Sequence, residues 1–99
     1  MANNVTTILG RMVPNGFQQI ASVAASTGLT PPDRSHIALI QPSGGDVRWR
    51  DDGVAPTATI GMLLADGVVF LYSGDLNAIR FILASGAPAL NITYYRNNG

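Results

Sequence analysis

The chain has no cysteine, no lysine and no glutamate; its six cations are all arginine and its six anions all aspartate. Without cysteine there is no disulfide framework, no thiol nucleophile and no cysteine-ligated zinc site. Without lysine no Schiff base can form, and a net charge of zero with no basic cluster argues against nucleic acid as a partner. The single histidine, His36, cannot build a multi-histidine metal site, and no Asp/Ser context places it in a triad. No stretch approaches the ~20 consecutive apolar residues of a membrane-spanning helix. The start, MANNVTTILG, lacks a basic segment followed by an apolar one, so the expectation is a soluble chain without a signal peptide or a membrane partner. Lysine and glutamate are the usual residues of exposed helices. Arginine and aspartate used alone favour strands joined by tight turns.

What is present fits that expectation. At 99 residues the chain has room for one modest core. Residues 1–16 read as an N-terminal arm or edge strand, with one β-capable run at Val5 to Leu9; residues 17–99 read as a single β-domain. The run FQQIASVAASTGL fits either period and is assigned to strand by its surroundings. Beyond TPPD the signals sharpen. HIALIQ has the look of a strand covered on both faces, Pro42 to Gly45 supply the turn of a hairpin, and Val47 to Arg50 return from it. Thr57 to Leu64, Val68 to Tyr72, Ala78 to Leu83 and Leu90 to Tyr95 complete the strand set, with Asp66-Gly67 as a further hairpin signal. The spacing predicts an all-β fold, a compact antiparallel β-sandwich or small jelly-roll-like barrel of six to eight strands. Its expected core is Val47, Trp49, Ile60, Met62, Phe70, Ile79, Phe81 and Ile92.

The octapeptide DVRWRDDG, Asp46 to Gly53, concentrates three acids, two arginines and the only tryptophan. Alternation in a strand sends Val47 and Trp49 to one face and Arg48 and Arg50 to the other. The two guanidinium groups, about 7 Å apart by strand geometry, can grip carboxylates on an adjacent strand or another subunit. Asp51 and Asp52 as an acid and base pair would have to converge on one bond, whereas neighbours in a strand diverge. They read instead as a turn with solvated or arginine-paired carboxylates. Arg48, Arg50, Asp51 and Asp52 are therefore the candidate structural or interface ion pairs, with no catalytic residue, no metal and no cofactor expected.

Three further readings start from single features. Aspartates 46, 51, 52, 66 and 75 all fall in loops and suggest calcium, but the DxDxDG spacing is missing. Trp49 between two arginines suggests a sugar platform, against which its alternation with Val47 favours burial. Asn4-Val5-Thr6 and Asn91-Ile92-Thr93 match the glycosylation sequon by chance in a chain without a secretion signal. Strands such as Val68 to Tyr72 and Leu90 to Tyr95 carry apolar residues on both faces. One small sandwich covers only one face of each sheet, so burial between subunits is expected.

The run ALIQPSGGDVRWRDDGVAPTATIGMLLADG, continuing through YSGDLNAIRFI to LNITYY, resembles small proteins encoded among the structural genes of tailed bacteriophages. The resemblance spans Ala38 to Tyr95, and its most distinctive piece is VRWRDDG followed by PTATIGM. It implies a compact β-protein of the virion, assembled in the bacterial host cytoplasm, and supplies no catalytic residues. The expectation is a non-enzymatic capsid decoration (cement) protein that self-associates into a homo-oligomer and binds the major capsid protein or other virion proteins. A head-to-tail connector or tail component is the close alternative, and a carbohydrate-binding module the more distant one.

Overall fold

Ala38, Ile40, Val47, Phe81, Leu90 and Ile92 are fully buried, and each occupies an inward position on a strand whose neighbouring residues point the other way. A computed structural model describes residues 12–97. Eight strands follow one another: β1 (Met12–Ile20), β2 (Thr27–Gly28), β3 (Ile37–Ser43), β4 (Val47–Arg50), β5 (Met62–Leu64), β6 (Phe70–Tyr72), β7 (Arg80–Leu83) and β8 (Ala89–Asn97). They form two four-stranded antiparallel sheets, β1-β8-β3-β6 and β2-β7-β4-β5, and the described residues contain no helix. Buried residues from both sheets make one core, so the fold is an all-β sandwich.

The pairing is nested: first strand with last, second with seventh, third with sixth, fourth with fifth. This is the strand order of an eight-stranded jelly roll. It corrects two hairpin expectations. Pro42 to Gly45 do not join a hairpin, because β3 and β4 lie in different sheets and β3 runs on through Pro42 and Ser43. Pro42 is tolerated inside β3 because β6 pairs only with Ala38 to Ile40; at Pro42 the one paired strand is β8, and on the other side the Gly67 N–H donates to the Pro42 carbonyl without needing an N–H from the proline. The Asp66-Gly67 turn forms, yet it too carries the chain from one sheet to the other. Only β4 and β5 are consecutive and paired.

Loop acids and glycines fasten the crossings. Asp46 Oδ1 accepts the Asp66 N–H at 2.9 Å, and Asp66 Oδ1 accepts the Gly44 N–H at 3.1 Å. Gly45 is needed because a Cβ there would run into the Ser85 carbonyl oxygen. At the opposite edge, a bulge between Pro14 and Gly16 turns Asn15 toward the 33–35 turn, where its amide donates to the Asp33 carbonyl and to Ser35 Oγ.

Local readings fare unevenly against this architecture. The run from Phe17 to Leu29 is strand to Ile20 and again at Thr27–Gly28; residues 21–26 cross between the sheets, with Val23 buried in the core and its carbonyl accepting the Leu83 N–H. β1 passes through the division drawn between residues 16 and 17, with Met12 to Gly16 forming part of an edge strand paired with β8; the Val5 to Leu9 run lies outside the described residues. Val47, Ile79, Phe81 and Ile92 are fully buried, while Trp49 and Phe70 are partly buried and packed against the core.

Ile60 and Met62 are not core residues, being 57% and 61% exposed. Ile60 is not in a strand at all. Thr57 Oγ1 accepts the N–H groups of Thr59 and Ile60, so this stretch closes a tight turn and β5 starts only at Met62. Met62 is the register partner of Trp49 and so shares its face, but it stands in the outermost strand of its sheet, where no further strand covers it.

Candidate functional site

The octapeptide forms β4 and the start of the arch over residues 51–61 that leads to β5. Arg48 Nε donates to the Ala58 carbonyl at 3.1 Å and Arg48 Nη1 to the Gly61 carbonyl at 3.0 Å. One side chain thereby holds the far end of the arch against its own strand. Gly61, at φ 140°, permits the approach, since a Cβ there would sit 3.1 Å from the Trp49 carbonyl oxygen and 3.2 Å from Arg48 Cβ. Within the arch, Pro56 is buried.

Arg50 pairs with Asp52, two residues on, through a two-pronged contact: Nε to Oδ1 at 3.0 Å and Nη2 to Oδ2 at 2.5 Å. That contact holds the Asp52 carboxyl below its ordinary range and raises the guanidinium. The arginine fork anticipated across strands is thus divided. Arg48 is spent on backbone carbonyls, and Arg50 closes on an acid within its own turn.

Asp51 goes elsewhere. Its Oδ2 accepts the hydroxyl of Tyr72 in β6 at 2.6 Å, a link across 21 residues and between the sheets. Burial, reinforced by the adjacent carboxylate, pushes the Tyr72 hydroxyl up to about 12. Tyr72 and Phe70 complete an aromatic cluster on Trp49: Phe70 stacks with its centroid 5.0 Å away at 25°, and Tyr72 meets the indole edge-on at 5.9 Å. The rest of the indole lines an open cavity of about 510 Å³ with Arg50, Asp51, Asp52, Ile60 and Met62. Trp49 is therefore neither sealed in the core nor a free-standing platform.

The two carboxylates have different partners: Asp52 is engaged by Arg50 and Asp51 by Tyr72. Asp46, Asp51, Asp52, Asp66 and Asp75 each accept a hydrogen bond from the protein, and among the described residues no three His or Asp side chains gather to hold a metal ion. His36 is exposed, its Nδ1 accepting the Asn97 N–H at 3.4 Å. Sequence reasoning missed Tyr72 as the partner of Asp51. The available signal was that Phe70 and Tyr72, two apart in a strand, share a face as Val47 and Trp49 do.

The apolar surface is unevenly placed. β8 turns Leu90, Ile92 and Tyr94 inward and shows mainly Asn91, Thr93 and Tyr95 outward, so it contributes little surplus. Most of the surplus sits at Ile60, Met62, Leu63, Val68 and Val69 along β5 and the approach to β6, with Val54 in the arch and Phe17 on β1 exposed as well. No protein-family model, curated protein or solved structure matches the chain.

Proposed function

We propose that this chain is a non-enzymatic structural protein of a tailed-phage virion: a capsid decoration protein that self-associates and binds assembled shell through apolar strand edges. The observation that carries the proposal is the contrast between the sandwich's edges. β1 is guarded by Pro14 and a bulge, and β2 is two residues long, both of which discourage a further strand from adding. β5 (Met62-Leu63-Leu64) and β6 (Phe70-Leu71-Tyr72) carry no proline, bulge or charge, and of these two edges β5 is the one with exposed apolar residues, Met62 and Leu63, on opposite faces. Such an edge exposes backbone hydrogen-bonding groups beside apolar side chains, which is the composition of an assembly surface.

Other observations agree. The resemblance from Ala38 to Tyr95 leads to the virion, zero net charge suits packing among like copies better than binding of DNA, and the engaged carboxylates favour a structural over a hydrolytic role. The jelly-roll order is permissive, because that fold hosts many functions. Many weak contacts on a symmetric lattice add up, so each edge contact needs little affinity alone. Head-to-tail and tail locations use the same physics and are separated from the shell by the test.

That test is co-sedimentation of the purified chain with empty shells of the phage whose genome encodes it. Saturable binding at a fixed ratio to the major capsid protein is expected. A chain that stays in the supernatant with shells and co-sediments with isolated tails or connectors places it elsewhere in the virion, and one that binds no particle contradicts the proposal.

A further inference from the structure

The walls of the Trp49 cavity are fastened from behind. Phe70 stacks on the indole and Tyr72 meets it edge-on. The Tyr72 hydroxyl holds Asp51, Asp52 closes on the guanidinium of Arg50, and Arg48 ties the Gly61 end of the arch to β4. The Thr57 turn sets the backbone of Ile60, and the pairing of β5 with β4 sets Met62 beside Trp49. Side chains at a surface ordinarily keep their rotamer freedom. Held in place around a concavity of about 510 Å³, these form a preorganised site of the size that takes small molecules.

The unspent groups on those walls point to the class of ligand. Asp51 gives Oδ2 to Tyr72, and its Oδ1 has no hydrogen-bond partner among the described residues. Arg50 spends Nε and Nη2 on Asp52, and its Nη1 likewise has none. A charged acceptor and a charged donor therefore stand on adjacent residues, beside the hydrocarbon of Trp49, Ile60 and Met62. A purely apolar ligand would cover both polar groups without hydrogen-bonding either. A cation would satisfy Asp51 but leave the N–H groups of Arg50 facing a like charge, and an anion would meet two carboxylates. What fits is a neutral molecule that donates and accepts from neighbouring atoms and has a hydrocarbon face. A sugar ring does both: one hydroxyl donates to Asp51, its neighbour accepts from Arg50, and the C–H face lies against the indole surface that Phe70 leaves open.

We infer that the cavity beside Trp49 is a saccharide-binding site. Ile60 and Met62 give it an aliphatic wall, so a ring that carries a methyl group, as an N-acetylhexosamine or a 6-deoxyhexose does, is preferred to the parent hexose. The site adds a binding activity to the structural role proposed above and does not depend on it.

Titration of the full chain with methyl glycosides tests the inference. Trp49 is the only tryptophan, so its emission reports the cavity directly, and saturation-transfer NMR on the sugar protons gives a second reading. The panel holds the methyl glycosides of glucose, galactose, mannose, N-acetylglucosamine, N-acetylgalactosamine, fucose and rhamnose. Saturable binding is expected with a Kd of about the millimolar order open to a single ring, the N-acetyl and 6-deoxy members binding more tightly than the parent hexoses. Asp51→Ala should weaken that binding by about tenfold, the scale of a lost charge-assisted hydrogen bond, and Ile60→Ser should remove the preference for methyl-bearing rings. Both variants should unfold near the wild-type midpoint. Val54→Ser, in the arch but outside the cavity, should bind as the wild type does. Emission and NMR signals that no member of the panel alters overturn the inference, and so does sugar binding that Asp51→Ala and Ile60→Ser leave unchanged. Emission that responds to ethylguanidinium and to no glycoside overturns the saccharide and gives the cavity to a cation. Co-sedimentation with shells is measured separately, so the site and the virion role can each fail without the other.

Discussion

The hydroxyl of Tyr72 donates to Oδ2 of Asp51 at 2.6 Å, fastening the outermost strand of one sheet to the corner that follows β4 in the other. Tyr72 itself is buried, whereas Asp51 is exposed. The bond thus holds a solvent-facing acid in a fixed place beside Trp49.

Removing that hydroxyl leaves Asp51 free to take water. Tyr72→Phe should therefore cost only about 1 kcal/mol, the net value of one hydrogen bond whose acceptor is not stranded. Urea unfolding measures the loss, and a shift in Trp49 emission in the folded variant reports the loosened corner.

The high-pH limb of stability should belong to two tyrosines. Burial pushes Tyr72 and Tyr94 up to about 12, against about 10 in an unfolded chain. Because the folded values are the higher, folding favours the neutral phenols. Their contribution is complete below about pH 10 and is lost as pH rises through about 12. Urea midpoints of the wild type should fall across that window, and those of a Tyr72→Phe/Tyr94→Phe variant should fall less. Equal slopes for the two proteins would count against the burial of both rings.

Arg48 should prove a fastener of the arch. Arg48→Lys keeps the charge but cannot reach the Ala58 and Gly61 carbonyls with a planar fork, so a loss of about 1–2 kcal/mol is expected, together with faster proteolysis inside residues 51–61. Cleavage at the wild-type rate would show that the arch holds by other contacts.

Core and edge should separate cleanly on truncation. Phe81→Ala opens the fully buried centre and should cost about 3–5 kcal/mol, a large part of the stability of so small a domain. Ile60→Ser and Met62→Ser touch exposed side chains and should leave the unfolding midpoint within about 0.5 kcal/mol. Calorimetry on the three variants checks both halves.

These contrasts show what was legible in the sequence. Alternation is local, so it gave the correct face for Val47, Trp49, Phe81 and Ile92, and even for Met62. Whether a face is covered is not local. Met62 shares the face of Trp49 and is exposed because its strand ends the sheet, and nothing in MLLADG announces that. Turn residues have the same limitation: Pro42 to Gly45 mark a change of direction but not whether the chain returns beside itself or crosses to the other sheet. Within the candidate site, the Arg50–Asp52 pair lies two residues apart and was within reach of sequence reasoning. The Asp51–Tyr72 bond depends on a sheet order that brings together residues 21 apart.

The most direct measurement is sedimentation velocity over a concentration series, comparing the wild type with a Leu63→Ser/Val69→Ser variant that removes exposed apolar side chains from β5 and from the approach to β6. The account predicts a wild type whose sedimentation coefficient rises with concentration to that of a discrete oligomer, and a variant that remains a monomer with an unaltered unfolding midpoint. A wild type that sediments as one copy throughout, or a variant that assembles as well as the wild type, would contradict it.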